Sequence, residues 1–223
     1  MKRLVIAIDG PSGAGKGTLA RTIAERLGYR HIDTGAMYRA VAWKASREGV
    51  PLDDDAAVAA LAQRAVYQQA DGKITIDGDD VTRAIRTPEA DKAAASVARL
   101  ARVREVLVDQ QRELGRDRGV VMEGRDIGTV VFPNADLKFY IDASAEERAR
   151  RRAGDTAHTG GQASLAFVQS ELVARDKSDT TRAVAPLSMA PDAIYIDTTT
   201  MPLDVVVNHV MIQIMDKLDD LVS

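Results

Sequence analysis

The sequence predicts an α/β fold, a parallel sheet flanked by helices, with a small antiparallel sheet plus helices inserted into it. Three observations carry that prediction. Short apolar runs alternate with amphipathic helical stretches over the first fifty residues. Two Asp-Gly pairs then punctuate alternating residues from about Val66, and the strand-then-helix style returns at Val120.

Leu4 to Ile8 is an apolar run closed by Asp9-Gly10, as a strand buried on both faces requires. Lys16 to Leu27 places Leu19, Ile23 and Leu27 four apart, with Gly28 following as a C-cap. Ile32 closes a second strand. Thr34 or Asp33 caps the next helix, which runs through Met37, Val41 and Ala45 towards Gly49. Asp53-Asp54-Asp55 after Pro51 reads as a turn and helix start. Val66 to Ala70, Lys73 to Ile76 and Val81-Thr82 form a meander, because Asp71-Gly72 and Asp77-Gly78 favour tight hairpin turns. Pro88 to Gly115 reads as one or two helices. Strands follow at Val120 to Glu123 and at Leu137 to Asp142. Ala143 to Arg152 is helical and very basic, and Asp155 to Gln162 has the polar, glycine-containing profile of a mobile loop. A helix through Phe167 and Leu172 and a strand at Ala193 to Ile196 come next. The closing helix starts after Pro202 and carries Val206, Val210, Ile214 and Leu218.

Composition narrows the function. The 223 residues are 45% hydrophobic and 28% charged, with no cysteine, which removes disulfides, thiolate metal sites and cysteine nucleophiles. A net charge of −3 argues against a nucleic-acid surface, so an anionic ligand would need a local concentration of arginine. The apolar run after Met1-Lys2-Arg3 is too short for a signal peptide, and no stretch approaches a membrane span. A cytoplasmic protein with neither a membrane nor a nucleic-acid partner is the expectation.

Gly10-Pro11-Ser12-Gly13-Ala14-Gly15-Lys16-Gly17-Thr18 lies between a predicted strand and a predicted helix, the context that a phosphate-cradling loop needs. Its glycines let backbone amides turn inward around a polyphosphate, and the helix terminus adds partial positive charge. Lys16 reaches the terminal phosphates as a point charge. The usual pattern has Ser or Thr directly after the lysine. Here Gly17 stands there and Thr18 comes one later, which leaves a magnesium ion held mainly by nucleotide phosphates and water, with Thr18 as the one candidate ligand.

The Gly-Lys-Gly-Thr form resembles that of P-loop nucleoside monophosphate kinases, and three further segments make the resemblance specific. Asp33-Thr34-Gly35-Ala36-Met37-Tyr38-Arg39, Glu123-Gly124-Arg125-Asp126-Ile127-Gly128-Thr129, and Arg175 through Arg182-Ala183-Val184-Ala185-Pro186-Leu187 resemble, in order, motifs of the bacterial cytidylate kinases. The resemblance runs from Asp9 to Leu187. It implies a P-loop kinase core over residues 1–62, 116–152 and 176–223, a monophosphate-binding insertion over 63–115, and a lid over 153–175. It further implies transfer of phosphate from ATP, with Mg2+, to CMP and dCMP by a monomer. Thr34, Tyr38, Arg39 and Arg125 would then take the monophosphate, Arg104 and Asp126 the cytosine, and Arg175 and Asp179 the ribose, with Arg182 nearer the phosphates. The family often has serine where this chain has Ala95; either the neighbouring Ser96 takes its place after a small shift, or the contact is missing.

Bland alternatives stand beside several of these roles. Arg148, Arg151 and Arg152 share one helical face, which fits either a solvated face paired with Glu146 and Glu147 or a lid that carries arginines to the transferring phosphate. Arg175 and Asp179 suit a surface ion pair as well as a ribose site. Asp126 suits an ion pair with Arg125 as well as a contact to the base. His31, His158 and His209 are scattered and receive no ligand role. Two other functions remain open on the sequence alone. One is a related kinase for uridylate or a small alcohol, and the other is a nucleotide-binding regulator without catalysis.

Overall fold

The computed structural model describes residues 3–70, 72–155 and 164–221. Its larger sheet has five strands: β1 (Val5–Asp9), β2 (Arg30–Asp33), β6 (Val120–Gly124), β7 (Leu137–Asp142) and β8 (Ile194–Asp197). They lie in the order β2-β6-β1-β7-β8, and every neighbouring pair is parallel. β1 sits at the centre, and its side chains alternate between two cores as the two-residue strand period demands. Val5 and Ala7 face a core built with α2 (Thr34–Arg47), α3 (Asp55–Arg64) and α5 (Ala101–Gly115). Leu4, Ile6 and Ile8 face a core built with α1 (Lys16–Leu27) and the last helix, α8 (Leu203–Asp220). Between these come α4 (Pro88–Val97), α6 (Ala145–Ala153) and α7 (Leu165–Thr181). No helix among the described residues is long and apolar enough to cross a membrane.

The second sheet is the expected antiparallel meander, β3 (Tyr67–Ala70), β4 (Lys73–Ile76) and β5 (Asp79–Asp80). Asp77 and Gly78 both take positive φ, 51° and 85°, as the tightest hairpin turn requires. The third strand lies two residues before the predicted Val81-Thr82. Val81 instead turns fully inward, and the Thr82 hydroxyl bonds to Asp80 and to the Ile74 amide. The Pro88 to Gly115 stretch is two helices, with Thr87 capping the first through the Ala90 amide. Asp33, not Thr34, caps α2, accepting from the Ala36 amide at 2.9 Å.

The strands are parallel, so their carboxyl ends share one edge, where turns and helix starts expose backbone groups to a ligand. Gly10 makes the first of those turns. A Cβ there would lie 1.9 Å from the Ile141 carbonyl oxygen, so the loop leaves β1 in contact with β7 only because no side chain intervenes. A feature with no sequence signal comes after β6: one π-helical turn, Ile127–Val131. The buried Asp9 carboxylate ties this turn to β1 by accepting from the Ile127 and Gly128 amides at 2.8 and 2.7 Å. Burial pushes the Asp9 carboxyl up to about 6.

Candidate active site

A cavity of about 770 Å³ opens at that carboxyl edge, and most of the predicted site residues meet in it. Ser12 to Thr18 form one wall. Gly13 and Gly15 have φ of 82° and 91°, which side-chain-bearing residues seldom adopt, and the loop runs directly into α1. Lys16 is buried beneath it, donating through Nζ to the Pro11 carbonyl at 2.7 Å. Burial, with Arg125 nearby, brings the Lys16 ammonium down to about 7. Gly10 and Pro11 shape the loop from behind and do not line the cavity.

The opposite wall is built of arginines from separate elements. Arg39 comes from α2 and bonds Asp33 at 2.9 Å. Arg125, just past β6, donates its Nε to Asp179 on α7 at 2.8 Å. Arg104 on α5 is only 2% exposed, stacks over the Tyr38 ring at 5.5 Å, and bonds Asp126 at 2.5 Å. Arg182 reaches the other oxygen of Asp126 at 3.3 Å. Asp126 therefore pairs with Arg104 and Arg182, not with its neighbour Arg125. Thr34 bonds the Glu123 carbonyl at 2.7 Å at the cavity floor. The Nε groups of Arg39, Arg104 and Arg175 are buried without an acceptor among the described residues, so donors are left for an anion.

Two expectations are corrected by side-chain direction. Ser96 is exposed on the outer side of α4, where its hydroxyl bonds back to the Lys92 carbonyl; Ala95 lines the cavity and the one-residue shift does not occur. Consecutive helical residues point about 100° apart, so neighbours cannot exchange faces without rewinding the helix. Arg148 faces the back of the phosphate loop and stays out of the cavity. It donates to the carbonyls of Ala143 at 2.9 Å and Ser12 at 3.1 Å, and to Asp176 at 2.7 Å. Arg151 and Arg152 do line the cavity. Arg151 bonds Thr198 and the Ala14 carbonyl, beside the phosphate loop. Glu147 pairs with the exposed Arg150 at 2.7 Å and also with Arg151 at 2.8 Å. Most of the predicted mobile loop, with His158, lies outside the described residues.

Three participants escaped the sequence reading. Asp91, on α4, pairs with Arg152 and Arg175 and lies 3.7 Å from Arg39. Glu123, at the end of β6, is buried against the phosphate loop, and a Cβ on Gly17 would come 2.9 Å from its Oε1. The glycine after Lys16 is thus what makes room for a carboxylate. His31 bonds that carboxylate at 3.2 Å.

The cytidylate kinase family profile matches residues 6–216. The chain belongs to the cytidylate kinase family. It is 51% identical to the cytidylate kinase of Desulforamulus reducens over 209 residues, covering 92% of this chain and 94% of that one. It is 46% identical to the cytidylate kinase of Desulfitobacterium hafniense over 221 residues, covering 98% and 95%. Among solved structures, the shikimate kinase of Bacteroides thetaiotaomicron aligns with a TM-score of 0.53 at 12% identity, covering 96% of this chain and 99% of that chain. That likeness is one of fold, a parallel sheet flanked by helices. The family's members are ATP-dependent kinases, and the motif order expected from the sequence runs through the matched region.

Proposed function

We propose that the phosphate-loop wall of the cavity holds ATP and the arginine wall holds the nucleoside monophosphate. The enzyme passes the terminal phosphate of ATP to CMP, giving CDP and ADP. The observation that carries this division of the cavity is the convergence of Arg39, Arg104, Arg125, Arg175 and Arg182, from different elements, on a space next to the loop. Phosphoryl transfer asks chiefly for positioning and for positive charge around the equatorial oxygens, and it is this that the cavity provides. Arg39 and Arg125 suit the monophosphate, because a planar fork matches phosphate oxygens. Arg104 and Asp126 suit the cytosine edge, and Arg175 and Asp179 the ribose. Arg151, against the loop, suits the ATP side, and Arg152 the transferring phosphate. The division into core, insertion 63–115 and lid 153–175 belongs to the same proposal, as do dCMP as a second acceptor and a cytoplasmic monomer.

Magnesium accompanies ATP in this reading, and the donor set fits it. Thr18 offers a hydroxyl at the cavity wall, and Glu123 a carboxylate beside Gly17, both hard oxygens suited to that ion. The ion would draw charge from the phosphate oxygens, while phosphates and water complete its shell.

The test is an acceptor panel with ATP. CMP and dCMP should turn over rapidly, and UMP and AMP far more slowly. UMP turnover equal to that of CMP, or no turnover of any acceptor, would refute the assignment.

Lys16 adds a proton-linkage result. Its ammonium sits near 7 in the nucleotide-free protein, so it is largely neutral at pH 8. Anionic phosphates restore the charge, so ATP binding at pH 8 should take up a large part of one proton. Binding enthalpies compared across buffers of different ionisation enthalpy measure this uptake. Lys16→Met should abolish it, whereas a buffer-independent enthalpy in the parent enzyme would mean Lys16 is charged throughout.

A further inference from the structure

We propose that Asp91 is an internal counter-anion, which holds Arg39, Arg152 and Arg175 in the nucleotide-free enzyme and must give them up before the substrate phosphate can bind. Asp91 stands in the first turn of α4, where an acidic residue ordinarily serves the helix dipole from the surface. Here the side chain is buried and turned into the cavity. One of its oxygens accepts from Arg152 on α6 and forms an ion pair with Arg175 on α7 at 2.8 Å. The other lies 3.7 Å from Arg39 on α2. Three cations from three helices therefore share one carboxylate, and all three line the cavity, Arg39 at the monophosphate, Arg152 at the transferring phosphate and Arg175 at the ribose in the reading above. Nothing in the local sequence, Thr87-Pro88-Glu89-Ala90-Asp91, foretells that convergence.

Charge decides the outcome when a monophosphate arrives. The phosphate brings nearly two negative charges and three acceptor oxygens to guanidiniums that Asp91 already occupies. Two anions on one set of arginines, in a partly buried site, repel each other, and the one with more charge and more acceptors prevails. Asp91 must then give up its arginines. Monophosphate affinity becomes a difference between two anions' claims on the same cations, weaker than the arginines would offer alone. The exchange also acts on shape. Asp91 ties α4 to α6 and α7, so an incoming phosphate releases that tie and replaces it with its own contacts.

This inference rests on the arginine wall being the monophosphate site, and the experiment separates the two. The dissociation constant for CMP is measured by calorimetry without ATP in the parent enzyme, in Asp91→Asn and in Asp91→Ala. Cytidine, which lacks the phosphate, serves as a parallel probe. The expected result is CMP binding about five- to tenfold tighter in both variants, the lower range of coupling between sites, because the charges are partly screened. Cytidine, which meets only Arg175 of the three through its ribose, should gain much less than CMP. Weaker or unchanged CMP binding in variants whose thermal unfolding remains cooperative would overturn the proposal, and would make Asp91 a support that aligns the arginines. CMP failing to bind the parent enzyme would instead bring down the monophosphate assignment beneath it.

Discussion

Lys16→Ala is expected to lower turnover by about a hundredfold or more while the chain unfolds at nearly the same temperature, because a preorganised charge at a transferring group carries that much of the rate. The two halves of the expectation have separate causes. Lys16 is buried and its charge is disfavoured there, so its ammonium contributes little to folding and its loss relieves a desolvation penalty. Its hydrogen bond to the Pro11 carbonyl stays within the loop. The ATP phosphates, by contrast, have no other ammonium from the loop. Steady-state turnover and a thermal melt, read on the same preparation, check the result. A variant with near-parental turnover would refute the phosphate-loop assignment, and one that lost its cooperative melt would place Lys16 in the fold instead.

Asp126 is expected to show the second-largest effect, and it divides by substitution. Removing its carboxylate leaves Arg104 and Arg182 buried without their counter-ion, and breaking a buried pair from one side costs about 3 to 5 kcal/mol. Asp126→Ala should therefore lose about 3 kcal/mol of stability in urea unfolding. Asp126→Asn keeps the shape and some of the hydrogen bonding, and it isolates recognition. The carboxylate can accept from the cytosine amine, but it opposes the carbonyl that uracil has at that position. An asparagine presents both a donor and an acceptor and cannot discriminate. The preference for CMP over UMP should then narrow by about tenfold, since a mispaired buried polar group costs about 1 to 3 kcal/mol. If both efficiencies fell by one common factor, Asp126 would be an ion-pair brace with no contact to the base.

What was legible in the sequence was whatever depends on neighbours along the chain. Lys16–Leu27 and Leu137–Asp142 were readable to the residue, because glycine punctuation and apolar spacing are local. The Asp77-Gly78 turn was readable from two residues alone. The same locality explains the misses. Arg148, Arg151 and Arg152 share a helical face, and spacing offers the Glu147 partner of Arg151, yet their contacts to Ser12, Thr198 and Asp91 are revealed by no spacing. Asp91 looks like an ordinary first-turn acid until three distant arginines are brought to it. The π-helical turn at Ile127–Val131 is held by Asp9 and by Arg112, which donates to the Val130 and Val131 carbonyls, and those bonds cross long stretches of chain. Ser96 was misplaced for a simpler reason, since a helix fixes which of two neighbours faces in.

The central position of β1 has a consequence for the order in which the molecule acquires its function. Val5 pairs with Val120 and Ile6 with Leu137, so both neighbours of the strand that launches the phosphate loop come from far along the chain. Closing such long loops costs entropy before any contact repays it, and distant pairings slow the search for the native state. α1, whose own sequence favours helix, can form early, but Gly10 has no Ile141 carbonyl to rest against until β7 docks. A nascent or refolding chain therefore cannot hold a nucleotide until β6 and β7 have docked beside β1. Competence to bind ATP should emerge with the last cooperative step of folding, and a ligand that selects the finished loop acts on the end of that process, not on its beginning.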